Sequence, residues 1–238
     1  IADFDFQCLV EDFIRELGQP FGDYSVIPAM ALSKVATKDV KVVLTGDGGD
    51  ELFAGYNRHV WANAFSKNLV WLKIFRHLTR TRIGFAAAVE LGAMILKLKK
   101  SVVRRNIHKL RRLRYGSDNP VQLYCSMVSL GDFDTLLNPG FRSVSHELEI
   151  NELISSCVGH VGNHLDVSTI VREIDKSVYL PDDILFKSDH ASMKYGLESR
   201  SPFLSQSVRA ASKLFTNQEL MRAKLGKQPL RDVIASRL

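Results

Sequence analysis

The stretch VVLTGDGGDELFAGYNR, Val42 to Arg58, decides the fold expected of this chain. The run Val40–Thr45 is nearly continuous in apolar and β-branched residues, which predicts a strand buried on both faces. A loop of glycines and carboxylates follows it, and the residues from Glu51 to Phe65 have helical spacing. With a helix before the strand, this order is typical of a parallel α/β sheet.

Helices are predicted on both sides of this stretch. FQCLVEDFIREL, Phe6–Leu17, has apolar residues at helical spacing. Ser25 is the expected N-cap of a second helix that runs to about Thr37, with Pro28 in its first turn. Beyond about residue 57 the sequence predicts helices and no strand. Short breaks are expected at 116–120, 138–140, Pro181 and Pro202.

Composition excludes several classes of protein. The chain has 238 residues, 45% hydrophobic and 24% charged, which is ordinary for a globular domain of this size. Its three cysteines are scattered and form no CxxC pair, so neither a disulfide framework nor a zinc site is expected, and a reducing, cytoplasmic location is favoured. No apolar run reaches the roughly 18 to 20 residues that span a bilayer, so no membrane partner is expected.

Charge is concentrated in the middle of the chain. Residues 57–116 hold 15 Lys or Arg and one acid, Glu90. One interpretation is an anionic partner such as nucleic acid or a membrane surface. The other, which we favour, is a solvated helix face, because the basic stretch Lys97–Arg114 has no aromatic residues interleaved for base stacking.

The loop after the predicted strand has a composition that needs explaining. Its glycines allow unusual backbone angles and close approach of a ligand, and the helix that follows offers free N–H groups favourable to phosphate. Its carboxylates would repel phosphate unless a cation such as Mg²⁺ lies between them. The alternative is that these acids only cap the helix. The residues concerned are Gly46, Gly48, Gly49, Asp47, Asp50 and Glu51.

Two later stretches carry further candidate residues. YLPDDILFKSDHASMKYGLESRSPFL, Tyr179–Leu204, mixes apolar residues at helical spacing with polar ones, and an ordinary helix with a charged face explains it equally well. In AKLGKQPLR, a glycine precedes Lys227, which could direct an ammonium group at phosphate.

Taken in this order, the three stretches resemble the synthetase domain of glutamine-hydrolysing asparagine synthetase, and the resemblance covers nearly the whole chain. It implies an α/β fold of the ATP pyrophosphatase (adenine-nucleotide α-hydrolase-like) type, with a parallel sheet followed by a mostly helical region. It implies an asparagine synthase activity that uses ATP and Mg²⁺. A carboxylate such as that of aspartate attacks ATP to form an acyl-adenylate (β-aspartyl-AMP), and ammonia from glutamine then displaces AMP to leave an amide.

The resemblance also implies roles for individual residues. Thr45, Gly46, Gly48, Gly49 and Glu51 fall where the family contacts nucleotide or pyrophosphate, and Asp50 matches a Mg²⁺ ligand. Asp47 occupies the position of an acid implicated in amide formation, and Lys227 that of a lysine that stabilises charge on the phosphates. Lys187, Asp189, Glu198 and Arg200 are expected in the wall of the substrate site. One departure is His190, where the family usually has Arg.

The resemblance leads to expectations for organisation and partners. Residues 1–56 would form a partial nucleotide-binding part, truncated at its N-terminal side, and 57–238 the mostly helical remainder of the same domain. The family's Ser-Gly-Gly-x-Asp-Ser signature and its glutaminase domain do not occur in the sequence, so we expect that this chain alone adenylates nothing. An incomplete sheet would expose apolar edges, so association or poor solubility is expected.

The expected partners are small substrates, the glutaminase domain of the same polypeptide and a second copy in a homodimer. Three alternatives stay open. The first is a related enzyme that amidates another carboxylate, such as a sugar acid or a peptide. The second is a nonenzymatic remnant of the family. The third, a tRNA-modifying relative, rests only on the basic segment.

Overall fold

The computed structural model describes residues 6–17, 21–66, 77, 84, 87, 90, 156, 166–222 and 225–237. Grouping by Cα packing separates two compact units, residues 1–56 with 172–238 and residues 57–171. The predicted division of the synthetase domain after residue 56 stays a prediction. The predicted breaks at 116–120 and 138–140 and the basic stretch 97–114 lie outside the described residues.

Two N-terminal helices form where the sequence predicts them. Helix α1 spans Phe6–Leu17 and helix α2 spans Val26–Ala36. Ser25 is the N-cap residue of α2, but its backbone is in the helical region and its side chain makes no capping bond. The Asp23 carboxylate accepts hydrogen bonds from the backbone N–H and the hydroxyl of Ser25 instead, at 2.8 Å each.

The α/β class is confirmed by a short parallel sheet. Strand β1, Val42–Leu44, pairs in parallel with strand β2, Glu198–Arg200, so that Val42 lies opposite Glu198. The prediction that no strand follows residue 57 is therefore wrong. β2 has three residues with the sequence ESR, too short and too polar to show the alternation by which strands are predicted.

The predicted burial of the first strand on both faces is also wrong. Val42 is 41% exposed and Leu44 is 74% exposed. The physical reason is that the sheet has two strands in the described part of the chain, so β1 has one neighbour there and its faces are only partly covered.

The helix predicted from Glu51 to Phe65 is interrupted. Helix α3 spans Gly49–Leu52 and helix α4 spans Asn57–Ser66. Between them Ala54 has a φ of 55°, in the left-handed region that an α-helix of L-residues does not contain. The chain therefore turns between α3 and α4.

The predicted break at Pro181 does not occur, because the chain stays helical there in a wider form. Helix α5, Val167–Ile174, runs into a π-helix, Asp175–Leu185, and then into helix α6, Phe186–Met193. Pro181 lies inside the π-helix. A proline removes one N–H from the hydrogen-bond ladder and crowds the preceding turn, and a wider turn accommodates both effects.

The C-terminal part consists of short helices. After β2 the chain forms a 3₁₀ turn, Pro202–Leu204, at the predicted Pro202 break. Three helices follow: α7, Gln206–Ser212, α8, Asn217–Leu220, and α9, Gln228–Ala235. No helix of the described residues is long and apolar enough to cross a membrane.

The main core of the sheet-bearing unit lies between α1, α2 and α6. Its buried side chains are Leu9, Val26, Ile27, Met30 and Ala191. Helix α6 packs on α2 and also contacts β2, the strand that pairs with β1.

Candidate active site

The acidic loop begins where β1 ends and is fastened to the end of β2. The backbone N–H of Thr45 donates to the carbonyl of Arg200 at 2.8 Å. The hydroxyls of Thr45 and Ser201 are 2.7 Å apart. The loop therefore lies at the carboxyl end of both parallel strands, where α/β sheets bind ligands.

The structure explains why position 48 of the loop is a glycine. Its φ is +85°, and a Cβ atom there would lie 2.3 Å from Cδ2 of Leu204. Gly46 differs, since nothing lies within 4 Å of its Cβ position. Gly46 thus leaves open space at the loop, as a contact point for a ligand requires, whereas Gly48 is needed for the turn into α3.

Asp47 lines a cavity of about 400 Å³. The hydroxyl of Ser188, at the start of α6, donates to Oδ2 of Asp47 at 2.9 Å. Asp189, His190, Phe186 and Ser201 also line this cavity. Residues from the acidic loop and from the KSDH segment are thereby brought together, as the sequence could not show.

Asp50 pairs with the lysine of the third stretch. Nζ of Lys227 lies 2.9 Å from Oδ1 of Asp50, and both side chains are about one-third exposed (33% and 35%). The two predicted residues, one a metal ligand and the other a phosphate-binding cation, are thus neighbours at the surface.

The backbone holds Lys227 in this place. Lys227 has a φ of 60°, and its N–H donates to the carbonyl of Phe53 at 2.8 Å. A Cβ atom on Gly226 would lie 1.9 Å from the carbonyl oxygen of Ala54, so a side chain there would separate the two loops. A residue held in the left-handed region against its preference is typical of functional sites.

Glu51 is placed differently from the other loop acids. It is 1% exposed, and the Tyr56 hydroxyl donates to its Oε1 at 2.5 Å. Burial raises the pKa of Glu51, although the Tyr56 bond acts against the rise. Burial, together with the bond to Glu51, also raises the pKa of Tyr56. Tyr56 thus holds the Glu51 carboxylate in the interior of the protein. The nucleotide-binding role of Glu51 stays a prediction.

Of the four residues predicted for the substrate wall, the structure brings one into the cavity, Asp189. Glu198 and Arg200 pair with each other at 2.7 Å, with more than half of each side chain exposed. Nζ of Lys187 lies 2.5 Å from Oδ2 of Asp23. The binding roles of these three stay predictions.

The Lys187 pair belongs to a partly buried charge cluster. Burial opposes ionisation of Asp23, but hydrogen bonds from Lys187 and Ser25 outweigh it and lower the pKa of this carboxyl. Asp183, in the π-helix, has its pKa raised by burial and by the nearby charge of Asp23. The cluster therefore joins the start of α2 to the π-helix and α6.

The loop acids can be tested for their fit to Mg²⁺. No group of three or more metal-ligating side chains occurs among the described residues. Mg²⁺ needs only one or two carboxylates when phosphate and water supply its other ligands. Asp50 fits this requirement, because its carboxylate is about one-third exposed (35%) and an ion can reach it from solvent. Glu51, buried against Tyr56, does not fit.

Sequence reasoning missed Ser188, Ser201, Tyr56 and Asp23. Ser188 and Ser201 contact residues that lie 141 and 156 positions earlier in the chain. The one available signal was their position inside the second polar stretch. For Tyr56 and Asp23 no pattern indicated a partner.

Comparisons with known proteins agree on one family. The family model described as Asparagine synthase matches residues 3–238. A protein named "Putative asparagine synthetase 2" (glutamine-hydrolyzing), from Methanocaldococcus jannaschii, is 48% identical over 56 residues, 24% of this chain and 11% of that protein. A "Putative asparagine synthetase" (glutamine-hydrolyzing) of Mycobacterium tuberculosis H37Rv is 28% identical over 220 residues, 92% of this chain and 31% of that protein.

A relative from Bacillus subtilis completes the comparison. Its asparagine synthetase 1 (glutamine-hydrolyzing) is 25% identical over 209 residues, 83% of this chain and 29% of that protein. The chain thus spans less than a third of the length of these relatives. No solved structure matches it.

Proposed function

Because the chain belongs to the asparagine synthase family, whose model matches nearly all of it, we propose that it carries part of the site of an ATP-dependent amide ligase. The proposed reaction makes asparagine from aspartate through β-aspartyl-AMP. Its finer parts are also proposals: the ATP pyrophosphatase type of fold, the use of Mg²⁺, ammonia supplied by a glutaminase domain of the same polypeptide, a homodimer and a cytoplasmic location.

The observation that carries the proposal is the 2.9 Å pair of Asp50 and Lys227. The first residue lies in the acidic loop and the second in the GKQPLR stretch, and the family resemblance implies a role at the phosphates for both. A partly exposed carboxylate beside a held ammonium group suits a ligand with several phosphate oxygens and its metal ion.

The proposed reaction has two steps. In the first, an oxygen of the aspartate side-chain carboxylate attacks the α-phosphorus of ATP, and the bond to pyrophosphate breaks. Mg²⁺ bound at Asp50 would supply neutralisation of phosphate charge. The Lys227 ammonium group donates to the departing pyrophosphate, whose charge grows during bond breaking. The backbone of Lys227 is fixed by its hydrogen bond to Phe53, so the side chain starts from a defined position.

The second step uses the other end of the loop. An amine attacks the carbonyl carbon of the acyl-adenylate, and AMP leaves. Asp47 lines the cavity, and its carboxylate accepts a hydrogen bond from the Ser188 hydroxyl. The Thr45 hydroxyl lies 2.7 Å from that of Ser201, which lines the same cavity, and the Cβ position of Gly46 is open. The same short loop would thus serve both steps.

Calorimetry of Mg-pyrophosphate binding tests the proposal, with Asp50→Ala as the variant. We expect the parent chain to bind and Asp50→Ala to bind about 10-fold more weakly or worse, since a charge-assisted contact is lost. Asp39→Ala is the control, because it removes an exposed carboxylate just beyond α2. Equal binding by the parent and Asp50→Ala, or no binding by the parent, contradicts the proposal.

A further inference from the structure

Gly55 lies in the turn that follows α3, next to Asp50. Its backbone N–H donates to the carbonyl of Asp50 at 2.8 Å, which brings the two residues together. Among the described glycines a positive φ occurs at Gly48 and Gly196, so Gly55 lacks the left-handed φ that favours glycine. The φ angle therefore does not explain a glycine at this position.

The neighbours of Gly55 leave no room for a side chain. A Cβ atom there would lie 1.9 Å from Oδ1 of Asp50 and 2.4 Å from Cε of Lys227. Both side chains would have to move by about 1 Å or more to restore ordinary separations of about 3.5 Å. These are the two side chains whose charged groups pair at 2.9 Å, so the pair lies directly on the bare backbone of Gly55.

Gly226, in the facing loop, has a different kind of neighbour. A Cβ atom there would lie 1.9 Å from the backbone carbonyl oxygen of Ala54 and 3.0 Å from Cα of Gly55. A methyl group on Gly226 would therefore push two backbone segments apart. A methyl group on Gly55 would meet side-chain atoms first, and these can move without breaking the fold.

We propose that Gly55 is a positioning residue of the phosphate site, because its missing side chain lets the charged groups of Asp50 and Lys227 lie together on one backbone surface. The inference rests on the proposed function, in which these two groups meet the metal ion and the phosphate oxygens. Gly55 offers the ligand no side chain and acts through their placement. A displacement of about 1 Å is large for such a site, since binding groups must stay within about 0.5 Å of their productive positions.

Nuclear magnetic resonance of lysine ammonium groups tests the placement without any ligand. A hydrogen bond to a carboxylate slows proton exchange between an ammonium group and water, so that its signal becomes observable. We expect a Lys227 signal in the parent chain, assigned by its loss in Lys227→Met. The signal should also be lost in Asp50→Ala and in Gly55→Ala. The signal of Lys187, held by Asp23, is the internal control and should stay unchanged.

Calorimetry of Mg-pyrophosphate binding tests the consequence. Gly55→Ala should bind about 10-fold more weakly than the parent, because both charged groups are displaced. The urea midpoint of Gly55→Ala should equal that of the parent. Gly226→Ala is the matched contrast, since the same methyl group meets the Ala54 carbonyl and should lower the midpoint.

The outcomes separate the inference from the proposed function. If the parent binds Mg-pyrophosphate and Gly55→Ala binds it equally well, the inference is overturned and the proposed function stands. A parent chain without a Lys227 signal, or a signal that persists in Gly55→Ala, also overturns the inference. So does a binding loss in Gly55→Ala that comes with a lower urea midpoint and a lost Lys187 signal, because the change then damages the whole fold. If the parent does not bind Mg-pyrophosphate, the proposed function fails, and the inference fails with it.

Discussion

Gly46 and Gly48 are two residues apart in the acidic loop, but they have different physical requirements. Gly48 has a left-handed φ and meets Leu204, whereas the Cβ position of Gly46 is open. We predict that Gly48→Ala lowers the free energy of unfolding by about 1–3 kcal/mol, because the side chain is strained there whatever space Leu204 yields. Urea denaturation measures this change.

Gly46→Ala is the matched control for Gly48→Ala. It adds the same methyl group to the same loop, and we expect a change within about 0.5 kcal/mol. A ligand that approaches the Gly46 backbone would make this variant weaken binding without weakening the fold. Similar stability losses in the two variants would show that the assigned backbone strain is wrong.

At this scale the sequence predicts residue types better than their partners. The glycine and carboxylate loop and Lys227 could be identified, because several unusual residues fall within a few positions. The separate locations of Asp47, Asp50 and Glu51 could not be predicted. Although these acids are close in sequence, Asp47 lines a cavity, Asp50 forms a surface ion pair and Glu51 is buried. That distribution depends on Ser188, Lys227 and Tyr56, which the loop itself does not specify.

Helices α2 and α6 are joined by the Lys187 and Asp23 pair, and this connection belongs to the scale of elements. We predict that Lys187→Met lowers the free energy of unfolding by about 1–3 kcal/mol at neutral pH, because it leaves a partly buried carboxylate without its cation. Lys38→Met, which removes an exposed lysine beyond the end of α2, should have almost no effect.

The same pair predicts a pH dependence. The pKa of Asp23 is lowered in the folded chain by its bonds to Lys187 and Ser25, so its stabilisation is present above its unfolded value of 3.8 and is lost as pH falls through the folded value. Lys187→Met should therefore be less destabilising in acid than at pH 7. A difference between variant and parent that stays constant over this range would contradict the assignment.

Elements were predictable where they are long and periodic. Helix α1 shows regular apolar spacing and was placed correctly. Strand β2 was not, since its three residues have no side-chain pattern and are extended because they pair with β1. Pro181 is expected to break the helix, because a proline interrupts an α-helix. The chain forms a π-helix there instead, to which that rule does not apply.

The exposed β1 residues matter at the scale of the whole molecule. With Leu44 at 74% and Val42 at 41% exposure, the strand presents apolar surface beside an open loop. We predict concentration-dependent self-association, and we expect Leu44→Thr, which replaces an apolar side chain with a polar, β-branched one suited to a strand, to reduce it in sedimentation velocity. Leu214→Thr is the control, since it removes a leucine exposed elsewhere at 81%. Equal association in parent and Leu44→Thr would exclude β1 as the cause.

The hydrogen bond between Thr45 and Ser201 closes a loop of 156 positions. The entropic cost of closing so long a loop rises only with the logarithm of its length, so that doubling the intervening chain adds about 0.6 kcal/mol. The segment between the two strands is therefore nearly free to lengthen, shorten or change its charge during evolution while the paired ends stay in register. The long separation affects the order of folding more than the stability. During synthesis the acidic loop leaves the ribosome long before β2 exists, so the cavity forms only after the second strand has been made.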